Sequence, residues 1–128
     1  MRQATPEVRI SHIGIAVSSI AEALPFYREI LGMPEVELAP TDGARIKGLD
    51  AAGALVELLE AAEPDSPIAK FIGKRGPGIH HICFAVPDLD GALERCRAKG
   101  VRLIDEAPAW VLREKESLFY IPPLQAGS

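Results

Sequence analysis

The 128-residue sequence has only two cysteines, no long hydrophobic run and no excess of positive charge. Cys83 and Cys96 lack metal-type spacing, so we expect two reduced thiols in a cytoplasmic protein. No apolar run approaches the roughly 20 residues that span a bilayer, and residues 1–10 contain no apolar signal-peptide core. The formal net charge of −4 argues against a nucleic-acid or anionic-membrane surface. We therefore expect neither kind of partner.

The rest of the composition is that of a folded domain. Hydrophobic residues make up 48% of the chain and charged residues 25%, which excludes disorder, collagen and a coiled coil. A length of 128 residues corresponds to one domain and leaves no room for a second full-sized core. We therefore expect residues 1–128 to form a single domain.

An internal repeat gives the main indication of the architecture. The segment SHIGIAVSSIAEALPFY begins at Ser11, and HHICFAVPDLDGALERC begins at His80. Placing His12 on His81 aligns most of the apolar positions that follow. Each copy begins with the alternation typical of a strand and then changes to helical spacing. Each copy therefore predicts a strand followed by a helix.

Capping residues and glycines set the limits of these elements. The first copy predicts a strand over about 11–17 and a helix over about 20–31, capped by Ser18 or Ser19. The second copy predicts a strand over about 80–86 and a helix that begins at Pro87-Asp88 and ends at Lys99-Gly100. Between the copies the sequence predicts two or three strands, with candidates at Glu35–Leu38, Arg45–Leu49 and Ala54–Leu59. Turns are predicted at 41–43 and 51–53, and a short helix at about 66–73. Each half thus has the order βαβββ, with module 1 over about 8–65 and module 2 over about 78–128. The predicted fold is α+β, with paired sheets curling around a shared cavity.

Strand alternation assigns one histidine of each copy to the same kind of face. His12 lies opposite to the apolar Ile13 and Ile15, and His81 lies opposite to Ile82 in the same way. A lone histidine on such a face is most often a hydrogen-bonded structural residue. Two of them at pseudo-symmetric positions can approach one ion, since imidazole suits Zn, Co, Ni or Fe. His80 has the opposite parity, and we expect it not to be equivalent.

A carboxylate in an apolar strand completes this set. Glu57 lies within ALVEL (54–58), and burying it alone is costly, so it must be paired or bind something unless the strand is an edge that exposes it to solvent. With His12 and His81 it gives two histidines and one carboxylate, which leave positions open for a substrate. Symmetry predicts a fourth ligand around position 126, where the sequence has no carboxylate after Glu116. We expect the second half to be one ligand short.

These residues resemble the vicinal oxygen chelate superfamily and, within it, the methylmalonyl-CoA epimerases. The resemblance covers about residues 8–108, and its specific segments are HIGIAV (12–17), ALPFYREILGMPEV (23–36), VELLEAAEPDSPIAKFI (56–72), GPGIHHICFAV (76–86) and KGVRLIDEAP (99–108). It implies metal ligands at His12, Glu57 (Gln or Glu in the family) and His81. It also implies a divalent ion, cobalt or else zinc, nickel or manganese, and a homodimer that inverts the α-carbon of an acyl-CoA, methylmalonyl-CoA.

The sequence departs from this family in two places. The segment GARIKGLD (43–50), where some members have a catalytic Glu, offers only Lys47 and Asp50, so we assign no catalytic base. The tail after Pro108 has no residue-level similarity to the family. Its codons from Trp110 onward nevertheless force or allow a family-like run in another frame (Gly, Ala, Ala or Ser, Gly, Glu or Lys, Arg or Gly, Ile, Ala, Phe or Leu, Leu, His, Pro). We hypothesise a frameshift near codon 109, with impaired activity. The apolar segment 118–121 is then expected to replace one lost strand.

Two other functions compete with the epimerase. A glyoxalase I-like lyase would use the same metal site, but the segment DSPIAKF (65–71) and the GPGIHHICF that follows it resemble epimerases. A non-catalytic module that binds a small molecule is favoured by the missing fourth carboxylate, and it needs no ion. The basic residues Lys70, Lys74 and Arg75 are candidates for binding CoA phosphates or else form a solvated face.

Overall fold

The computed structural model describes residues 8–38 and 43–100, together with the backbone of 117–121. The described strands are β1 (Arg9–Ala16), β2 (Glu35–Val36), β3 (Ala44–Ala51), β4 (Ala54–Ala61), β5 (Gly78–Val86) and β6 (Ser117–Ile121). The helices are α1 (Ile20–Pro25), a π-helix (Phe26–Ile30), α2 (Pro67–Arg75) and α3 (Leu89–Ala98). The strands form one sheet in the order β2-β3-β4-β1-β5-β6.

The two repeats meet at the centre of this sheet. β1 pairs in parallel with β4 of its own module and antiparallel with β5, the first strand of the second module. The first module has the predicted order βαβββ, and the predicted α+β class is confirmed. In the second module the structure describes β5, α3 and β6, while residues 101–116 lie outside the described part of the chain.

Both faces of the first module's strands are packed. On one face Val17, Leu24, Leu49 and Leu58 form a buried cluster under α1, as the strand alternation predicts. On the other face Ala16 and Leu59 pack against α2. Since β-strand side chains alternate between faces, this second face is also the one that carries His12 and Glu57. Helix α2 therefore covers part of the face that bears the predicted ligands.

Side-chain caps begin the three α-helices where the sequence indicates. The hydroxyl of Ser19 accepts a hydrogen bond from the backbone of Glu22, Ser66 caps α2 in the same way, and the carboxylate of Asp88 caps α3. The prediction of one regular helix over 20–31 is wrong. Pro25 ends the α-helix because it cannot donate a backbone hydrogen bond, and the chain continues as a π-helix.

Other predicted limits shift by a few residues. The strand predicted at Glu35–Leu38 is reduced to two residues, because only Glu35 and Val36 pair with β3. The strands predicted at 45–49 and 54–59 are longer, since the β3–β4 ladder runs from Ala44 opposite Ala61 to Ala51 opposite Ala54. The helix predicted at 66–73 extends to Arg75. Of the turn predicted at 41–43, residues 41 and 42 lie outside the described residues.

The apolar segment predicted to replace a lost strand does form one. Its backbone is β6, which pairs with β5 along Val86 to Ile82. The pairing is antiparallel, whereas β4 runs parallel to β1. β6 therefore occupies the place that pseudo-symmetry gives to the last strand of the second module, but with the opposite direction. Among the described residues, no helix has both the length and the apolar character needed to cross a membrane.

The buried cluster under α1 makes a testable prediction. Leu58 is fully buried beside Glu57, so Leu58→Ala should lower the free energy of unfolding by about 2–5 kcal/mol through lost burial and a cavity. Ile30 is 73% exposed, and Ile30→Ala should change the free energy by less than about 0.5 kcal/mol. Urea unfolding of both variants checks this. Equal effects would contradict the assigned core.

Candidate metal centre

One glycine lies between two of the predicted ligands in the sheet. Gly14 of β1 is the Cα partner of Glu57 on the parallel β4 and of His81 on the antiparallel β5. Directly paired residues of neighbouring strands project to the same face, and so do residues two apart on one strand. His12, Glu57 and His81 are therefore delivered to one face by three adjacent strands, although they are far apart in the sequence.

The three side chains converge closely enough to hold one ion. Each of His12, Glu57 and His81 offers one ligand atom, and these atoms all lie within 4.8 Å of one another. The two histidine Nε2 atoms are 3.1 Å apart. Two imidazole nitrogens bound to one ion at typical metal–nitrogen lengths are separated by about 2.9–3.4 Å. The arrangement thus has the spacing and the donor types of a divalent-metal site.

The site is largely withdrawn from solvent. The side chain of His12 is 12% exposed and that of Glu57 is 11% exposed, with 4.0 Å between His12 Nδ1 and a carboxylate oxygen of Glu57. Burial, together with the neighbouring imidazoles of His12 and His80, lowers the pKa of His81 from 6.5 to about 4. Burial also lowers the pKa of His80. Neutral imidazoles are the form that binds metal ions, so burial prepares His81 for that role.

His80 lies nearer to the site than strand alternation predicts. Its Nδ1 is 3.0 Å from Nδ1 of His81, and its ring packs edge-on against Phe71 of α2. The prediction that placed it on the opposite face is wrong because β5 has a bulge there: Gly14 pairs with His81, and Ile15 pairs with Ile79. One extra residue in a strand shifts the alternation locally. The expectation that His80 is not itself a ligand stands as a prediction.

Lys47 and Asp50, in the segment where some family members have a catalytic Glu, make contacts away from the three proposed ligands. The ammonium of Lys47 lies 3.1 Å from Glu35, and Arg28 binds the same carboxylate. The carboxylate of Asp50 accepts a hydrogen bond from Gly53 in the β3–β4 turn. Of the basic residues of α2, Arg75 lies over the ring of Phe71 at 5.9 Å. Lys47 pairs with Leu58 and so projects to the α1 face, whereas Asp50 pairs with Leu55 and shares the face of Glu57, at the turn end of β3.

The space above Gly14 generates the first prediction for the site. A Cβ atom at this position would lie 2.3 Å from Cε1 of His81, so Gly14→Ala must displace the imidazole. We expect the affinity for Co²⁺ to fall by about tenfold or more, as for disrupted ligand shells, in calorimetric titrations. Gly73→Ala is the matched control, because a Cβ there meets nothing within 4 Å. Unchanged affinity in Gly14→Ala would contradict the geometry.

The lowered pKa of His81 predicts a pH dependence of stability. The unfolded chain takes up a proton on this ring near pH 6.5, and the folded chain only near pH 4. The unfolded state binds more protons in this window, so metal-free protein should lose stability as the pH falls from 6.5 toward 4. Thermal unfolding in EDTA at pH 7 and pH 5 checks this. His81→Asn should lose less stability over the same interval, and an equal loss would refute the assignment.

Comparison with known proteins identifies several relatives of this chain. The Bacillus subtilis protein YqjC, described as uncharacterized, is 34% identical over 116 residues, which cover 89% of this chain and 83% of YqjC. The structure of Mycobacterium tuberculosis methylmalonyl-CoA epimerase superposes with a TM-score of 0.72 at 39% identity, covering 83% of this chain and 74% of that one. A variant of Streptomyces coelicolor methylmalonyl-CoA epimerase in complex with 2-nitronate-propionyl-CoA superposes with a TM-score of 0.69 at 33% identity, covering 78% and 75%.

A family model matches most of the chain and agrees with this fold. The match runs over residues 9–112, which include all three residues of the candidate metal centre. It covers well over half of the sequence, and the repeat, strands β1 to β5 and the site all lie within it, whereas β6 lies beyond it. The chain belongs to the Glyoxalase/Bleomycin resistance protein/Dioxygenase superfamily.

Proposed function

We propose that this chain is a methylmalonyl-CoA epimerase that removes and returns the α-proton of a CoA thioester with the help of a divalent ion. The convergence of His12, Glu57 and His81 on one face carries the proposal. Relatives with that activity in their names, at 33–39% identity over most of this chain, support the same substrate. The acyl-CoA analogue bound to one of them supports a CoA thioester as the ligand.

The proposed chemistry suits the residues of the site. The α-proton of a thioester is weakly acidic, and its removal places negative charge on the carbonyl oxygen. A divalent ion, when bound, supplies positive charge that stabilises this oxygen. His12, Glu57 and His81 hold the ion, and three protein ligands leave coordination positions open for the substrate. Helix α2, which packs on the same face, limits the access of water.

Several finer features belong to this proposal. We favour cobalt, with zinc, nickel and manganese as alternatives, because all four accept nitrogen and oxygen ligands. We also favour a homodimer, as the family resemblance suggests, and a cytoplasmic location, as the presence of only two cysteines suggests. The proton-transferring bases remain unassigned. Tyr120 is the Cα partner of Cys83, and Cys83 aligns with Gly14 in the repeat, so Tyr120 takes the register position that corresponds to Glu57.

Solvent exchange gives a direct test of the proposed reaction. In D₂O with added Co²⁺, an epimerase replaces the α-proton of (2S)-methylmalonyl-CoA with deuterium, which ¹H NMR measures. Glu57→Gln keeps an oxygen ligand and should retain exchange, whereas Glu57→Leu should abolish it. A reaction without protein corrects for spontaneous exchange. Exchange that is unaffected by Glu57→Leu would contradict the proposed role of the carboxylate.

The tail is tested in the same assay. A version translated from the alternative frame of the source DNA should exchange the α-proton faster than this chain, because the family's final strand carries the fourth ligand. If neither version catalyses exchange although both bind Co²⁺, the epimerase proposal fails.

Turnover of the hemithioacetal of methylglyoxal and glutathione would then support the glyoxalase I-like lyase. Acyl-CoA binding without an ion would support the non-catalytic module.

A further inference from the structure

Each of the two strands that carry a histidine ligand has a bulge next to that histidine. In the β1–β5 ladder Ile10 pairs with Phe84 and His12 with Cys83, so Ser11 is the extra residue of β1. Further along, His80 is the extra residue of β5. Bulges redirect side chains and are common beside functional sites. Both extra residues immediately precede a proposed ligand.

The two extra residues contact the same atom of their respective neighbours. Ser11 Oγ lies 3.3 Å from Nδ1 of His12, and His80 Nδ1 lies 3.0 Å from Nδ1 of His81. The opposite nitrogens of the two rings, both Nε2, face each other at 3.1 Å. In each ring Nε2 faces the other ligand ring and Nδ1 contacts the preceding bulge residue; Nδ1 of His12 also lies 4.0 Å from Glu57. Ser11 and His80 are also equivalent positions of the sequence repeat.

We propose that Ser11 and His80 are a matched pair of positioning residues that set the tautomers of His12 and His81. A neutral imidazole that binds an ion through Nε2 must carry its proton on Nδ1, and a partner for that N–H fixes the tautomer and the ring orientation. The hydroxyl of Ser11 accepts from His12, and Nδ1 of His80 accepts from His81. This inference rests on the proposed metal centre.

The types of these two residues suit a site that exists with and without its ion. The two Nε2 atoms lie 3.1 Å apart, and a hydrogen bond between them without an ion requires one of the two rings to carry its proton there. Binding requires that ring to lose the proton at Nε2 and gain one at Nδ1, so its charge does not change. A hydroxyl and a neutral imidazole can each donate or accept. Both partners can thus follow the change, whereas a carboxylate can only accept.

The ring of His80 is itself held in place. It packs edge-on against Phe71, with 4.9 Å between the ring centroids. The guanidinium of Arg75 in turn lies over the ring of Phe71. Both contacts come from α2, which also packs on the sheet through Ile68. The position of His80, and through it that of His81, therefore depends on the docking of this helix.

Metal titration of single variants tests the proposal without relying on catalysis. The probe is Co²⁺ alone, measured by calorimetry and by visible absorption of the bound ion. His80→Leu should weaken binding by about 10–100-fold, and Ser11→Ala should weaken it less, because its contact is longer. His80→Asn and Ser11→Thr retain an acceptor and should restore most of the affinity. Ser18→Ala is the matched control on an exposed serine and should leave binding unchanged.

A spectroscopic measurement keeps the proposal testable if a variant fails to fold. In wild-type protein with ¹⁵N-labelled histidine and Zn²⁺, both ligand rings should be protonated at Nδ1 and bound through Nε2. Binding through Nδ1, or variants with unchanged Co²⁺ affinity, would overturn the positioning role while leaving the metal centre intact. Wild-type protein that binds neither ion would instead overturn the proposed function itself.

Discussion

The pairing of β1 with two different strands is the constraint on which the site depends. Gly14 faces Glu57 across a parallel ladder and His81 across an antiparallel one. A shift of either ladder by one residue would turn its ligand to the opposite face of the sheet. The lack of a side chain at Gly14 matters equally, because the ring of His81 occupies the space that a Cβ would need. The site is therefore a property of register, held by strands that are buried on both faces.

Placing a carboxylate and two imidazoles away from water costs free energy, which the rest of the sheet must offset. Burying a charged group is unfavourable unless it is paired, and His12 Nδ1 lies 4.0 Å from a carboxylate oxygen of Glu57. The apolar clusters on the two faces of the sheet supply the opposing stabilisation. An ion that binds only the folded chain adds to it. Folding and ion binding are therefore linked, since both use the same three side chains.

Sequence reasoning succeeded where local rules operate and failed where the chain breaks them. Alternation correctly assigned His12 to the face opposite Ile13 and Ile15, and Glu57 to the face opposite Val56 and Leu58, because both stretches keep a period of two from those residues onward. It misplaced His80, because a bulge consumes one residue and leaves no mark in the pattern of apolar positions. The π-helix after Pro25 had a visible cause, although its hydrogen-bond pattern did not follow from spacing. The apolar 118–121 segment predicted a strand, but its direction depends on packing with β5.

The direction of β6 bears differently on the three proposed ligands and on the fourth ligand position. The proposed ligands from β1, β4 and β5 lie outside the atypical tail, and three protein ligands are the number that catalytic zinc sites use. The fourth position, by contrast, falls to a strand that runs antiparallel and places Tyr120 opposite Cys83. Under the proposed function, an ion needs only the three residues that precede the tail, while the fourth position depends on the tail itself. Ion binding and epimerisation would then be separable properties, and binding is the one that the regular part of this chain can retain without the tail.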